Sequence, residues 1–287
     1  MSLADAELYE TADVFGVDLE QVRRDHVISH ALASISARAR EVFLFTGGTM
    51  LSRTWLPNLR LSEDIDLMVY LPRAEAGGRL AEALEVDLAD RFGPLAWDKD
   101  PRTAADTESI YLAAGEDVTI KFQLVDTTDR ARWPHEERDI MQRYSDAPPA
   151  RLLVPTAPTV VAMKLTAWVD RRTPRDLYDL WAMSQRGMIT ADAVETYRRF
   201  GQSGQPLSGY LFSHPPTEIE WEDALGHQCR LQADPTEAIE AVGYALAAFG
   251  AIRGGYEPDH SPETSWLSRP QSRRSRVPVS EADRDPS

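Results

Sequence analysis

The sequence reads Val42-Phe43-Leu44-Phe45-Thr46-Gly47-Gly48-Thr49-Met50-Leu51-Ser52 and then, a few residues on, Arg60-Leu61-Ser62-Glu63-Asp64-Ile65-Asp66-Leu67. Val42 to Phe45 is a short apolar run with the composition of a buried strand. Gly47-Gly48-Thr49 reads as a turn, and Met50 to Trp55 restarts as a helix. Ile65 to Tyr70 is a second strand. Alternate residues of a strand share a face, so Asp64 and Asp66 project together while Ile65 and Leu67 enter the apolar side. Two converging carboxylates repel, and a shared divalent cation relieves that repulsion, with Mg2+ favoured where carboxylates share the ion with substrate phosphates. Glycines at 47 and 48 let a phosphate approach the backbone amides, and the Thr49 hydroxyl can donate as well. A turn, a serine (Ser62) and paired carboxylates within so short a stretch, on the first two strands of an α/β unit, make a candidate site for a metal and a triphosphate.

Outward from this stretch, 18–37 has helical spacing with Asp18 as a cap, 73–92 reads as a helix, and 109–113 and 118–125 as strands. The result is a mixed α/β domain over residues 1–150. The segment 126–155, with Trp133-Pro134, Pro148-Pro149 and Pro155, reads as a long connection. Helices dominate from there to residue 253: 158–170, one opened by Thr173-Pro174-Arg175-Asp176 as a capping box and ended by Gly187, then 191–200 and 235–249. Residues 254–287, rich in Pro, Ser, Arg and Asp, read as a disordered tail.

Composition excludes several classes. With 287 residues, 43% of them hydrophobic and 27% charged, the chain can bury a sizeable core. The longest apolar run, 241–252, falls short of the ~18 residues of a spanning helix. An acidic N-terminus argues against an export signal, and Cys229 has no second cysteine to pair with, so a cytoplasmic protein is expected. A net charge of −15 excludes a broadly basic nucleic-acid-coating surface, so any such partner is met locally. The six histidines, His26, His30, His135, His214, His227 and His260, show no metal-ligand spacing on this reading and receive no catalytic role. Trp168 and Trp181 are assigned to core packing.

Only three lysines, Lys99, Lys121 and Lys164, stand against 28 arginines. Lys164 opens the block Lys-Leu-Thr-Ala-Trp-Val-Asp-Arg-Arg-Thr-Pro-Arg-Asp-Leu-Tyr-Asp-Leu, residues 164–180. Lys164 and Arg171 lie two turns apart on one helix, and Pro174 sends Arg175, Asp176 and Asp179 into the next, so the two helices can pinch a common pocket. The competing reading is a solvated hairpin with Arg-Asp pairs. A compact ammonium suits a point contact with phosphate.

These motifs together resemble the AbiEii/AbiGii toxin family, also called MenT-type toxins, within the DNA polymerase β-like nucleotidyltransferases; the likeness runs from about Phe43 to Gly187. The resemblance implies a minimal mixed-sheet nucleotidyltransferase core with a helical C-terminal region completing the active site. It implies Mg2+, with Mn2+ as a substitute, and an NTP substrate. The transfer would place NMP on the 3′ acceptor end of tRNA and block translation, and a cognate antitoxin would be encoded nearby. By motif, Gly47, Gly48 and Thr49 match the phosphate-binding turn, with Ser62, Arg171 and Arg175 as further nucleotide contacts. Asp64 and Asp66 match the metal pair, Lys164 the triphosphate-binding lysine, and Asp179 the last acidic residue. Such enzymes commonly place a third carboxylate on a later strand. Here the strand 119–124 offers Gln123, which cannot take a proton usefully, so deprotonation falls to Asp66, Asp179 or solvent. Two other readings are kept: transfer to a protein or small-molecule hydroxyl such as that of an aminoglycoside, and a catalytically inactive binding protein of the same fold.

Overall fold

The computed structural model describes residues 4–115, 118–127, 132–201 and 207–253; the expected tail, 254–287, lies outside them. The first part of the chain runs α1 (Asp5–Phe15), α2 (Leu19–Arg38), β1 (Phe43–Thr46), α3 (Gly47–Arg53), β2 (Asp64–Val69), α4 (Arg73–Phe92), β3 (Leu95–Trp97), β4 (Ser109–Ala114) and β5 (Val118–Asp126). It continues through β6 (His135–Ile140), β7 (Ala150–Pro155), α5 (Ala157–Arg171), α6 (Pro174–Gln185), α7 (Ala191–Phe200), β8 (Leu207–Ser208), α8 (Glu218–Leu225), α9 (Pro235–Ala247) and β9 (Ile252–Arg253).

Seven strands form one mixed sheet in the order β3-β4-β5-β2-β1-β7-β6. β1 pairs antiparallel with β2 and parallel with β7, and β2 pairs parallel with β5. The period-two reading of β2 holds: Ile65, Leu67 and Val69 are fully buried and Asp64, Asp66 and Met68 only partly so. α2 and α4 pack on the buried face against β5. Asp18 caps α2 by accepting from the Gln21 amide at 2.7 Å, an interaction worth about 1 kcal/mol. The far end of α2 buries Ile28, Leu32 and Ile35 in the main core. Trp168 and Trp181 are core residues, as their helical setting predicts.

Residues 126–155 are not a long connection but carry β6 and β7. β6, His-Glu-Glu-Arg-Asp-Ile, sits at the sheet edge, where one side faces solvent and polar residues are tolerated, so it shows no apolar run to read. β7 pairs in full register with β6. The boundary expected at residue 150 therefore falls at the start of a sheet strand, and by their contacts the described residues belong to one unit. α1 and α8 have no counterpart in the sequence reading, although α8 carries a complete capping box between Thr217 and Glu220. At α6 the expected capping box is absent. Thr173 accepts no backbone N–H and instead donates its hydroxyl to Asp176 Oδ2 at 2.6 Å.

Candidate active site

The open side of β2 faces a cavity of about 870 Å3 whose walls include Gly47, Asp66, Gln123, Lys164 and Arg171. The sheet supplies its floor. Strand register places Lys121 beside Asp64 and Gln123 beside Asp66. Lys121 Nζ donates to Asp64 Oδ2 at 2.7 Å, while Gln123 Nε2 donates to the Thr107 carbonyl at 2.6 Å. Gln123 thus stands on the neighbouring strand next to the carboxylate pair, as the reading of the strand 119–124 expects.

Asp66 is the electrostatically costly member. Burial and the adjacent Asp64 charge push its carboxyl up to about 6, against the opposing pull of Lys121, Lys164 and Arg171. Gly47 makes its position possible. An added Cβ would lie 1.9 Å from Asp66 Oδ2, and the residue's φ of +78° is itself strained for any other L-residue. Gly47-Gly48-Thr49 are the first turn of α3 rather than a turn before it. No side chain caps this end, because the Thr46 hydroxyl donates to the Asp66 carbonyl at 3.3 Å.

The second constellation is brought together as an ionic cluster in which Lys164, Asp176, Asp179 and Arg60 are buried and Arg171 is exposed. Lys164 and Arg171 both lie on α5, and α6 presents Asp176 and Asp179 to them. Lys164 Nζ is 2.7 Å from Asp179 Oδ2 and 3.1 Å from Asp176 Oδ1. Arg171 Nε and Nη2 bind Asp176 at 2.7 and 2.9 Å. Arg60 clamps Asp179 from the other side with Nε and Nη2 at 2.8 and 2.9 Å and reaches Gln228 Oε1 at 2.7 Å. Burial would lower the Lys164 ammonium, but Asp179 and Asp176 outweigh it and hold the group charged. Burial would raise Asp179, yet Arg60 and Lys164 bring it below the ordinary carboxylate range.

The other sequence candidates fall elsewhere. Thr49 is fully buried and its hydroxyl goes to the Asp64 carbonyl, so it ties α3 to β2 instead of facing the cavity. Gly48 backs onto Arg60 and Ser62: an added Cβ would stand 2.5 Å from Arg60 Nη2 and 2.9 Å from Ser62 Oγ. Ser62 is buried, Arg175 is exposed, and neither lines the cavity. Asp179 does not line it either; it holds Lys164, which does.

Four participants escape the sequence reading. Arg60 sits in the quoted motif, but only its partner Asp179, on a distant helix, shows that it is structural. Lys121 could have been found, since alternation along 119–124 puts it on the Asp64 face. Trp133 and Phe200, with ring centroids 5.3 Å apart, line the cavity beside Arg199, and nothing local in the sequence marks them.

No curated protein matches the chain. Among solved structures it is similar to MenT4, a nucleotidyltransferase toxin from Mycobacterium tuberculosis H37Rv, at TM-score 0.64 and 20% identity over 87% of this chain and 90% of that one. That likeness shows the fold: mixed sheet with a helical C-terminal part. Residues 30–248, which contain the carboxylate strand, the cavity and the ionic cluster, match the model of the nucleotidyl transferase AbiEii toxins of type IV toxin-antitoxin systems, and the chain belongs to that family.

Proposed function

We propose that the protein transfers NMP from an NTP to the 3′ acceptor end of tRNA in the cytoplasm, arresting translation until a cognate antitoxin neutralises it. The observation that supports this reading is Asp66, which lines a cavity shared with Lys164 and Arg171 and stands beside Asp64, whose carboxylate Lys121 holds at the margin of that cavity.

The donor set fits a hard divalent cation. Two carboxylates on one strand face, one held at about 6 by burial and mutual repulsion, are stabilised by a second positive charge in a way that Lys121 alone does not achieve. Asp64 and Asp66 would hold Mg2+, or Mn2+ in its place. When bound, the ion supplies neutralisation of the charge that builds on the phosphates as pyrophosphate leaves.

The protein's own groups do the rest. An ammonium has three N–H donors, and Lys164 uses two on Asp176 and Asp179, leaving the third for a phosphate oxygen. Arg171 spends Nε and Nη2 on Asp176 and offers Nη1 to the cavity. Asp176, Asp179 and Arg60 are positioning residues that keep both cations in place. The uncapped first turn of α3 presents backbone N–H groups, and Gly47 admits close approach. Trp133 and Phe200 offer an apolar wall to a base. The acceptor hydroxyl attacks the α-phosphorus, the bond to the bridging oxygen breaks, and pyrophosphate departs. Asp179 is withdrawn as a proton acceptor by Arg60 and Lys164, so the hydroxyl proton goes to Asp66 or to water. α5 and α7 complete the site by contributing Lys164, Arg171 and Phe200.

The test is incubation of the protein with each of four α-phosphate-labelled NTPs and, separately, tRNA, total protein and aminoglycosides. Label on the tRNA 3′ end supports the proposal; label only on protein or small molecules overturns the acceptor, and none anywhere overturns the activity.

A further inference from the structure

A second polar cluster lies away from the cavity. His26 and His30 are four residues apart on α2 and so share one helix face, which corrects the reading that no histidines have ligand spacing. Opposite them, in the 141–149 loop between β6 and β7, stands Asp146. His26 Nε2 is 3.0 Å from Asp146 Oδ1 and His30 Nε2 is 3.5 Å from the same oxygen. The three donor atoms lie within 4.8 Å of one another, the one such grouping of three among the described residues.

We propose that His26, His30 and Asp146 form a Zn2+ site. Ligands at about 2.1 Å around a tetrahedral ion stand roughly 3.4 Å apart, close to the 3.0 and 3.5 Å from the two imidazole nitrogens to Asp146 Oδ1, and two imidazoles with one carboxylate suit a borderline metal far better than Mg2+. The second observation is His30 itself. Its side chain is only 6% exposed, and Nε2, 3.5 Å from Asp146 Oδ1, makes no well-formed hydrogen bond to it. Such a nitrogen costs stability unless something occupies it.

The supporting shell is built in. Arg91 donates to Asp146 Oδ2 and holds the carboxylate, while His26 Nε2 lies 3.0 and 3.1 Å from Oδ1 and Oδ2, a contact that a bound ion would replace. The loop is pinned on both sides of Asp146. Tyr144 donates to Asp25 Oδ2 at 3.0 Å, Arg143 Nη2 to the Ser52 carbonyl at 2.8 Å, and the Ser145 amide to Glu7 Oε1 at 2.8 Å. Gln142 Nε2 bridges the Ser29 and Pro148 carbonyls. Phe92 packs edge-on against both imidazole rings. A bound ion would tie α2 to the loop that leads into β7, so its expected role is structural, with a water in the fourth position.

The experiment is equilibrium dialysis of tag-free, metal-stripped full-length protein against Zn2+ in excess Mg2+, which keeps the Asp64-Asp66 pair covered. A parallel series with Co2+ reads coordination from visible absorption. The wild type should take up one equivalent and melt at a higher temperature with Zn2+. His30→Gln and Asp146→Asn, each checked for a native circular-dichroism spectrum, should weaken uptake at least about tenfold, while Asp66→Asn should retain it. Absence of uptake, equal affinity in a folded His30→Gln or Asp146→Asn variant, or loss of uptake in Asp66→Asn would each overturn the site. If one of the first two variants fails to fold, the other decides.

Discussion

Lys164 Nζ lies 2.7 Å from Asp179 Oδ2, and both side chains are buried, at 11% and 1% exposure. The pair divides the 164–180 block: Lys164, Asp176 and Asp179 are buried, while Arg171, at 60% exposure, and Arg175 keep the solvated character of a surface hairpin. Its consequence is that Lys164 is a structural residue as well as a candidate phosphate ligand. Lys164→Ala leaves Asp179 with Arg60 and Asp176 with Arg171, so neither acid is left unpaired. The lost charged hydrogen bonds should cost about 1 to 3 kcal/mol of stability, so loss of transfer in that variant is ambiguous. Lys164→Arg keeps the charge but replaces a compact three-donor head with a planar fork. It should remain folded, within about 1.5 kcal/mol of wild type, and transfer about tenfold or more slowly. Chemical denaturation and transfer rates on both variants check this.

Asp66 makes stability pH-dependent in a stated direction. Its folded pKa, about 6, lies above the ordinary 3.8. Between those values the folded state holds a proton that the unfolded chain has released, so metal-free stability falls as pH rises through this window and levels off above about 6. Asp66→Asn abolishes that component and should be more stable than wild type at pH 7.5 by on the order of 1 to 3 kcal/mol, with the difference shrinking towards pH 4. Melting curves in chelator across pH 4 to 8 measure it.

Gly47→Ala should be severe for its size. The new methyl meets Asp66 Oδ2 at 1.9 Å and the backbone must keep φ +78°. Positive φ alone costs about 1 to 2 kcal/mol. The larger effect is displacement of Asp66, so transfer should fall by about a hundredfold or more while the far-UV spectrum stays native. The conformational cost is read by denaturation and the displacement by the concentration of Mg2+ needed for half-maximal transfer.

Lys121 competes for Asp64. The ion pair is partly exposed, at 30% and 27%, and worth no more than about 1 kcal/mol. Lys121→Met should leave stability within that range and lower the Mg2+ concentration for half-maximal transfer, because the ammonium no longer shares the carboxylate. A Mg2+ titration of the two proteins makes the comparison.

The strands that matter were legible because their side chains obey a local rule. Val42 to Phe45 is uniformly apolar, and Asp-Ile-Asp-Leu alternates, so β1, β2 and the shared face of Asp64 and Asp66 followed from the period alone. The α5-α6 break at Pro174 was equally local. β6 was hidden because an edge strand of Glu, Arg and Asp has no apolar signature, and the prolines around it argued for a loop. Thr49 was misassigned to the cavity because residue type does not reveal that its hydroxyl is already taken by the Asp64 carbonyl. Arg60 and Asp179 lie 119 positions apart. Their clamp is a product of the tertiary fold, and no spacing rule reaches that far.

The central claim is that Asp64 and Asp66 support nucleotide transfer to tRNA. Its most direct measurement is the rate at which α-phosphate-labelled NTP is incorporated at the tRNA 3′ end by wild type and Asp66→Asn, at saturating Mg2+, with folding of both verified by melting. The account predicts 3′ labelling by the wild type and a loss of at least about a hundredfold in an Asp66→Asn protein that, in chelator, melts no lower than wild type. Wild-type labelling rates in the folded variant would contradict it.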